Sequence, residues 1–180
     1  MSTEYSWCLP LTYASFDCVG GRKLRPYEVR IIRKDISKAL GPTIFVLILG
    51  SNNIRLLGKT KNVVFMFRRI LEHALKFENV QIVLVSIIPS VVEDTKRRFS
   101  ELSNILKDLS KNEFRATSTF LNMNSIFAHE GKIEPQYFKS IDIDENNRQR
   151  NVHLKFFGAC QLARSILDHC TLHVKNKLQY

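Results

Sequence analysis

No apolar run in this chain approaches the roughly 18 residues that a membrane span requires. The longest, Thr43 to Leu49, has the length of a strand. Met1 to Pro10 lacks a basic start followed by an apolar stretch, so no secretory leader is expected. Cysteine is sparse, and Cys8, Cys18, Cys160 and Cys170 share no metal-like CxxC spacing. Cys160 and Cys170 lie in a helical pattern, too far apart along one helix to be bridged. All four read as reduced, mostly buried thiols of an intracellular protein, cytoplasmic or nuclear. There is no Gly-rich phosphate loop followed by Lys-Ser/Thr, which argues against a nucleotide-driven switch. No tract rich in Pro, Gly or Ser divides the chain, and no repeat or low-complexity segment occurs. One domain over residues 1–170 with a basic tail at 171–180 is expected, without cofactor or metal.

Acidic residues are also in deficit. The chain has 27 Lys+Arg against 17 Asp+Glu, a formal net charge of +10. Such a balance favours RNA, DNA or an anionic surface electrostatically, and a merely basic soluble surface gives the same number. The hydrophobic content of 44% with 24% charged residues is that of a globular domain.

What is present is an alternation of β-rich runs and amphipathic stretches. Tyr13 to Val19 reads as a strand closed by Gly20-Gly21. From Glu28 to Leu40, Val29, Ile32, Ile36 and Leu40 keep helical spacing, and Gly41-Pro42 ends the helix. Thr43 to Leu49, apolar almost throughout, fits a central parallel strand covered on both faces. Lys61 to Phe77 follows as a helix with Val63, Phe67, Ile70, Ala74 and Phe77 inward and Thr60 as its N-cap. Val80 to Ile87 is a second buried strand. Ser90 and Glu93 form a capping box for a helix with the stripe Phe99, Leu102, Leu106 and Leu109. Ala116 to Met123 reads as the last strand, and Asn124 to Asn151 as irregular. His153 to Cys170 closes the domain as a helix with Phe156, Ala159 or Cys160, Ala163 and Leu167 inward. This β-then-α order implies an α/β fold, a doubly wound and mainly parallel sheet with helices on both faces.

Functional groups in such sheets gather at the carboxyl ends of the strands. Three features stand there. Gly20-Gly21-Arg22 follows a strand, where glycine lets backbone N–H groups approach a developing oxyanion; a plain tight turn would look the same. Leu49-Gly50-Ser51-Asn52-Asn53 leaves the most apolar strand, where a side-chain amide can serve an oxyanion or cap a helix. Asn151-Val152-His153-Leu154 puts a His on the first turn of the last helix, as a general base or as an ordinary packed residue.

In this order the segments VGGRKL, LGSNNIR and NVHLKFFGACQLARSI resemble the blocks of the SGNH (GDSL-like) hydrolase family, over Tyr13 to about His169. The wording from Gly20 to Pro26 is similar to SGNH-like domains in the first open reading frame of some LINE-type retrotransposons. The resemblance implies a three-layer α/β/α domain with a flavodoxin-like, SGNH-like sheet. It also implies an oxyanion hole at Gly20, Gly50 and Asn52, a general base at His153, and an acyl-ester substrate.

Three departures bear on activity. The family's Gly-Asp-Ser block precedes the strand ending at Gly20, and no such block occurs here. A parallel strand pair needs a crossover of about a dozen residues or more, so strand one, serine turn and helix do not fit ahead of Gly20. Arg150 stands where the family has the Asp that orients the imidazole, and Arg cannot accept that hydrogen bond. Asp142 or Asp144 could take its place if residues 145–150 form an insertion. Asn53 replaces the third block's Asp.

The expected function is thus an esterase-like domain impaired in catalysis, with a serine upstream of Met1 as the route by which it would be active. The alternative is a pseudo-hydrolase of retroelement origin that binds RNA, single-stranded DNA or a protein. Arg22, Lys23, Arg25, Arg33 and Lys34 are its candidate nucleic-acid contacts, though Arg33 and Lys34 also suit a solvated helix face. The place of the missing strand can be closed by direct pairing of Tyr13–Val19 with Thr43–Leu49, by a second chain, or by Thr3 to Leu11; the last is expected, because Tyr5, Trp7, Leu9 and Leu11 alternate.

Overall fold

A computed structural model describes residues 24–51, 53, 59–89, 93–129, 132–138 and 154–178. The expected strand Tyr13 to Val19, the Thr3 to Leu11 segment and the Ser90 cap lie outside them. The first helix, α1 (Pro26–Ser37), starts with Pro at its first position, where no N–H is needed, and Glu28 accepts the Arg25 N–H at 3.1 Å. It buries Val29 and Ile36 but ends at Ser37, short of the expected Leu40, which is fully exposed. The Asn79 amide donates to the carbonyls of Ala39 (3.0 Å) and Gly41 (2.8 Å), holding this segment as a turn ahead of Pro42.

Strand β1 (Thr43–Leu47) pairs in parallel with β2 (Val80–Val85), as the two apolar runs predict, with Thr43 opposite Val80 and Leu47 opposite Leu84. β2 pairs in turn with β3 (Ser118–Leu121), giving the order β1-β2-β3. Among the described strands the middle position belongs to β2, every residue of which is buried. β1 was expected to be the covered central strand; among the described residues it has one strand neighbour, and Thr43 to Val46 are only half-buried.

Helix α2 (Thr60–Ala74) buries Val63, Phe67, Ile70, Leu71 and Ala74. Lys59, not Thr60, is its N-cap, without a side-chain capping bond, so Thr60 lies inside the first turn. Helix α3 (Glu93–Asp108), extended by a π-turn at Leu109–Glu113, buries the expected Phe99, Leu102, Leu106 and Leu109. α1, α2 and α3 pack with Ile82 and Leu84 on one face of the sheet. Val83 and Val85 point to the other face, against Met123, Phe127, Phe138 and Cys170. The alternation of β2 side chains between two covered faces makes three layers, α/β/α.

The stretch after β3, expected as irregular, carries one helical turn, α4 (Asn124–Phe127), a two-stranded ribbon, β4 (Ala128–His129) with β5 (Lys132–Ile133), and a 3-10 turn at Pro135–Tyr137. Phe127 packs edge-on against Tyr137 and Phe138, an aromatic cluster that orders this segment.

The last helix, α5 (Phe156–Leu178), departs most from expectation. The face Phe156, Ala159, Cys160, Ala163 and Leu167 points outward, with Phe156 86% exposed. Leu162, Ile166 and Cys170 pack inward instead. Gly158 is buried so closely under the Tyr137 carbonyl that a β-carbon there would collide with it, and this close approach fixes the helix's rotation. The helix also continues to Leu178, through most of the segment expected as a basic tail. Cys160 is exposed rather than buried, and both Cys160 and Cys170 are free.

Candidate functional site at the carboxyl edge of the sheet

The carboxyl ends of all three strands converge on one edge. Beyond β1 the chain turns at Gly50, whose φ of +103° is closed to ordinary L-residues. A β-carbon at this position would lie 3.1 Å from Leu102 Cδ2 and 3.2 Å from Val63 Cγ1, so the backbone is pressed against α2 and α3.

Three residues later, Asn53 reaches back to the chain ahead of α1. The Leu24 N–H donates to Asn53 Oδ1 at 2.7 Å, and Asn53 Nδ2 donates to the Leu24 carbonyl at 2.8 Å. The Leu24 side chain is itself buried. Only an amide satisfies both bonds at once, because a carboxylate has no proton for the carbonyl. Asn53, met in the sequence as a departure from Asp, is therefore the residue that ties the segment following Gly20-Gly21 to the turn at Gly50. A polar residue after a strand carries no sequence signal for a partner 29 residues away.

Buried hydroxyls tie the end of β2 to the chain after β3 and to α3. The Met123 N–H donates to Ser86 Oγ at 2.7 Å, and the Ile87 N–H donates to Ser103 Oγ at 3.2 Å. Both serines accept from backbone N–H groups beyond the ends of the strands. A cleft of about 150 Å³ lies between Ile87 and Pro89 after β2, Lys96, Phe99 and Ser100 on α3, and Asn124 and Ala128 after β3. Ser100 is a hydroxyl on this wall, and no His, Asp or Glu is among its described lining residues. The described residues there can hold a small ligand by one cation, two hydrogen-bonding side chains and an apolar floor. Among the described residues no group of three or more His, Cys, Asp and Glu is placed to hold a metal.

Of the site residues singled out in the sequence, Gly50 takes the strained turn at this edge. Gly20, Asn52, Asp144, His153, Arg150, Arg22 and Lys23 lie outside the described residues. Arg25 and Lys34 are exposed on α1, whereas Arg33 is half-buried, its Nε enclosed without a partner near His73. His73 Nε2 shares a 2.8 Å hydrogen bond with Ser37 Oγ; burial and then the Arg33 charge hold its pKa below the ordinary value. His169, not marked by any motif, pairs with Thr119 Oγ1 at 2.9 Å, and burial lowers its pKa too. Both histidines join a helix to its neighbour, α2 to α1 and α5 to β3. Among the described residues no helix is long and apolar enough to cross a membrane.

No protein-family model matches the chain, and no curated protein matches it. Among solved structures it is similar to one from Streptococcus pneumonia described as a candidate platelet activating factor. The likeness has a TM-score of 0.59 at 14% identity, over 83% of this chain and 68% of that one. At this identity the likeness bears on architecture alone, and the architecture is an α/β/α fold around a parallel sheet.

Proposed function

We propose that these 180 residues form an SGNH-type, esterase-like domain that keeps the acyl-binding edge of the fold without a working nucleophile. Gly20, Gly50 and Asn52 are the oxyanion-side residues in this reading, His153 occupies the general-base position and Asp144 is the candidate to orient it. One observation carries the proposal. The paired hydrogen bonds between Leu24 and Asn53 hold Leu24, four residues after Gly20 in the chain, beside the positive-φ turn at Gly50. This tie supports an oxyanion hole built from the two segments. No Gly-Asp-Ser occurs in the chain, and Arg150 stands three residues before His153. Without an acyl-enzyme, oxyanion donors alone leave only a small residual rate.

The test is hydrolysis of short acyl esters by the purified chain and by His153→Ala. Equal, background-level rates are expected. A turnover that disappears with His153 would refute the loss of catalysis and call for another nucleophile.

A second reading, binding of RNA or single-stranded DNA by the basic face of a retroelement-derived domain, is favoured by α1. Arg25, Arg30, Lys34 and Lys38 are all exposed along it. Reversing the charges of Arg25 and Lys34 should then weaken oligonucleotide binding at low salt.

A further inference from the structure

Helices α1 and α2 cover the same face of the sheet and pack against each other, Ser37 of one bonded to His73 of the other. Both lead into parallel strands, so they run in the same direction, side by side. Each presents an aromatic ring to solvent where an amphipathic pattern would place a polar residue. Tyr27 and Phe65 are both 59% exposed. Each ring carries an arginine from the next turn: the guanidinium carbon of Arg30 lies 5.8 Å from the Tyr27 centroid, and that of Arg69 lies 5.9 Å from the Phe65 centroid. Phe65 also borders a groove of about 370 Å³ between α2 and α3, with Lys61, Glu101, Ile105 and Arg68, itself paired with Glu113, on its walls.

The charge of this face matches a polyanion. Residues 25–38 and 59–78 hold ten Lys and Arg against four Asp and Glu, more than half of the chain's net charge. A cation over an exposed ring serves two functions together, because the ring offers a base its flat face and the guanidinium offers a phosphate its N–H groups. An acidic peptide or a lipid headgroup would use the cations and leave the rings idle. A duplex would do the same, its base faces being stacked internally.

We propose that the α1–α2 face binds single-stranded nucleic acid, with Tyr27 and Phe65 as base-stacking platforms and Arg30 and Arg69 as the phosphate contacts beside them. The proposal rests on the second reading above and deepens it. The sequence hid this arrangement because the two aromatic–arginine pairs are far apart in the chain and come to one layer only through helix packing.

The probe is a labelled oligothymidine of about 20 nucleotides, long enough to span such a face. It is titrated at low and moderate salt beside a duplex of equal length and a polyglutamate. Tyr27→Ala and Phe65→Ala should each weaken the single strand about tenfold, with Tyr27→Trp and Phe65→Trp retaining affinity. The duplex should bind more weakly and ignore the ring substitutions. Circular dichroism of each variant should match that of the parent chain. The stacking proposal is overturned if the alanine variants hold oligothymidine as tightly as the parent, or if polyglutamate competes equally with it. The two levels separate cleanly: if Arg25→Glu with Lys34→Glu abolishes binding while the ring variants do nothing, the basic face stands and the stacking fails. If the parent chain binds no oligonucleotide at low salt, both fail.

Discussion

Replacing Gly50 with Ala tests the candidate edge at its most constrained point. Two costs follow from the geometry. The φ of +103° lies in a region where an L-residue clashes with its own backbone, at about 1–2 kcal/mol. The new methyl then sits 3.1–3.2 Å from Leu102 and Val63, both buried, and overpacking a closed site costs about 1–3 kcal/mol. Together these predict a loss of about 2–5 kcal/mol, roughly 4–20 °C in melting temperature for a domain of this size. Gly41 is the internal control, because a methyl there meets nothing within 4 Å. Gly41→Ala should shift stability by less than about 1 kcal/mol. Urea unfolding followed by circular dichroism measures both. If Gly50→Ala unfolds at the same urea concentration as the parent, the strained turn pressed onto α2 and α3 is not the conformation in solution. The reading of this edge then loses its anchor.

Further outcomes follow from other contacts. Asn53→Asp should cost about 1–3 kcal/mol at neutral pH, because the carboxylate confronts the Leu24 carbonyl it can no longer satisfy; urea unfolding detects it, and parent-like stability would refute the clasp. Gly158→Ala should destabilise markedly, since its methyl would displace α5 from the Tyr137 carbonyl, and the near-ultraviolet signal of the Tyr137–Phe157 stack should change with it. Stability should also fall as pH drops. Burial holds the folded pKa of both His73 and His169 below the ordinary 6.5, so below about that pH the unfolded chain binds protons that the folded one resists. The urea midpoint should be flat above pH 7 and fall as pH decreases through 6.5; a midpoint that rises on acidification would reverse the assigned sign. Finally, deleting residues 1–11 should lower the melting temperature if that segment covers the edge of β1, and an unchanged value in a monomer would exclude it as the covering strand.

The parts of the fold legible in the sequence are those where burial is one-sided and periodic. The runs at Thr43 and Val80 announced neighbouring parallel strands, and the stripe Phe99, Leu102, Leu106 and Leu109 named the inward face of α3. Their ends were less legible, because termination is decided by distant partners. Leu40 keeps a helical interval, yet the helix stops earlier, where the Asn79 amide engages the turn. β1 is as apolar as β2, and composition reports what a strand can bury rather than how many neighbours it has.

The face of α5 was misread on firmer-looking grounds. Phe156, Cys160, Ala163 and Leu167 form one apolar stripe, while Leu162, Ile166 and Cys170 form another about a quarter-turn away. Periodicity cannot choose between two such stripes. The choice falls to a residue without a side chain: Gly158 passes beneath the Tyr137 carbonyl, a position no larger residue can take without displacing the helix. The same logic holds at the candidate edge, where Gly50 and the Leu24–Asn53 clasp set the geometry through backbone contacts. Motif spacing located Gly50 as a candidate and treated Asn53 as a defect. The defect is the amide whose donor and acceptor close both bonds to Leu24, so a return to the family's Asp at this position would break the connection that supports the resemblance.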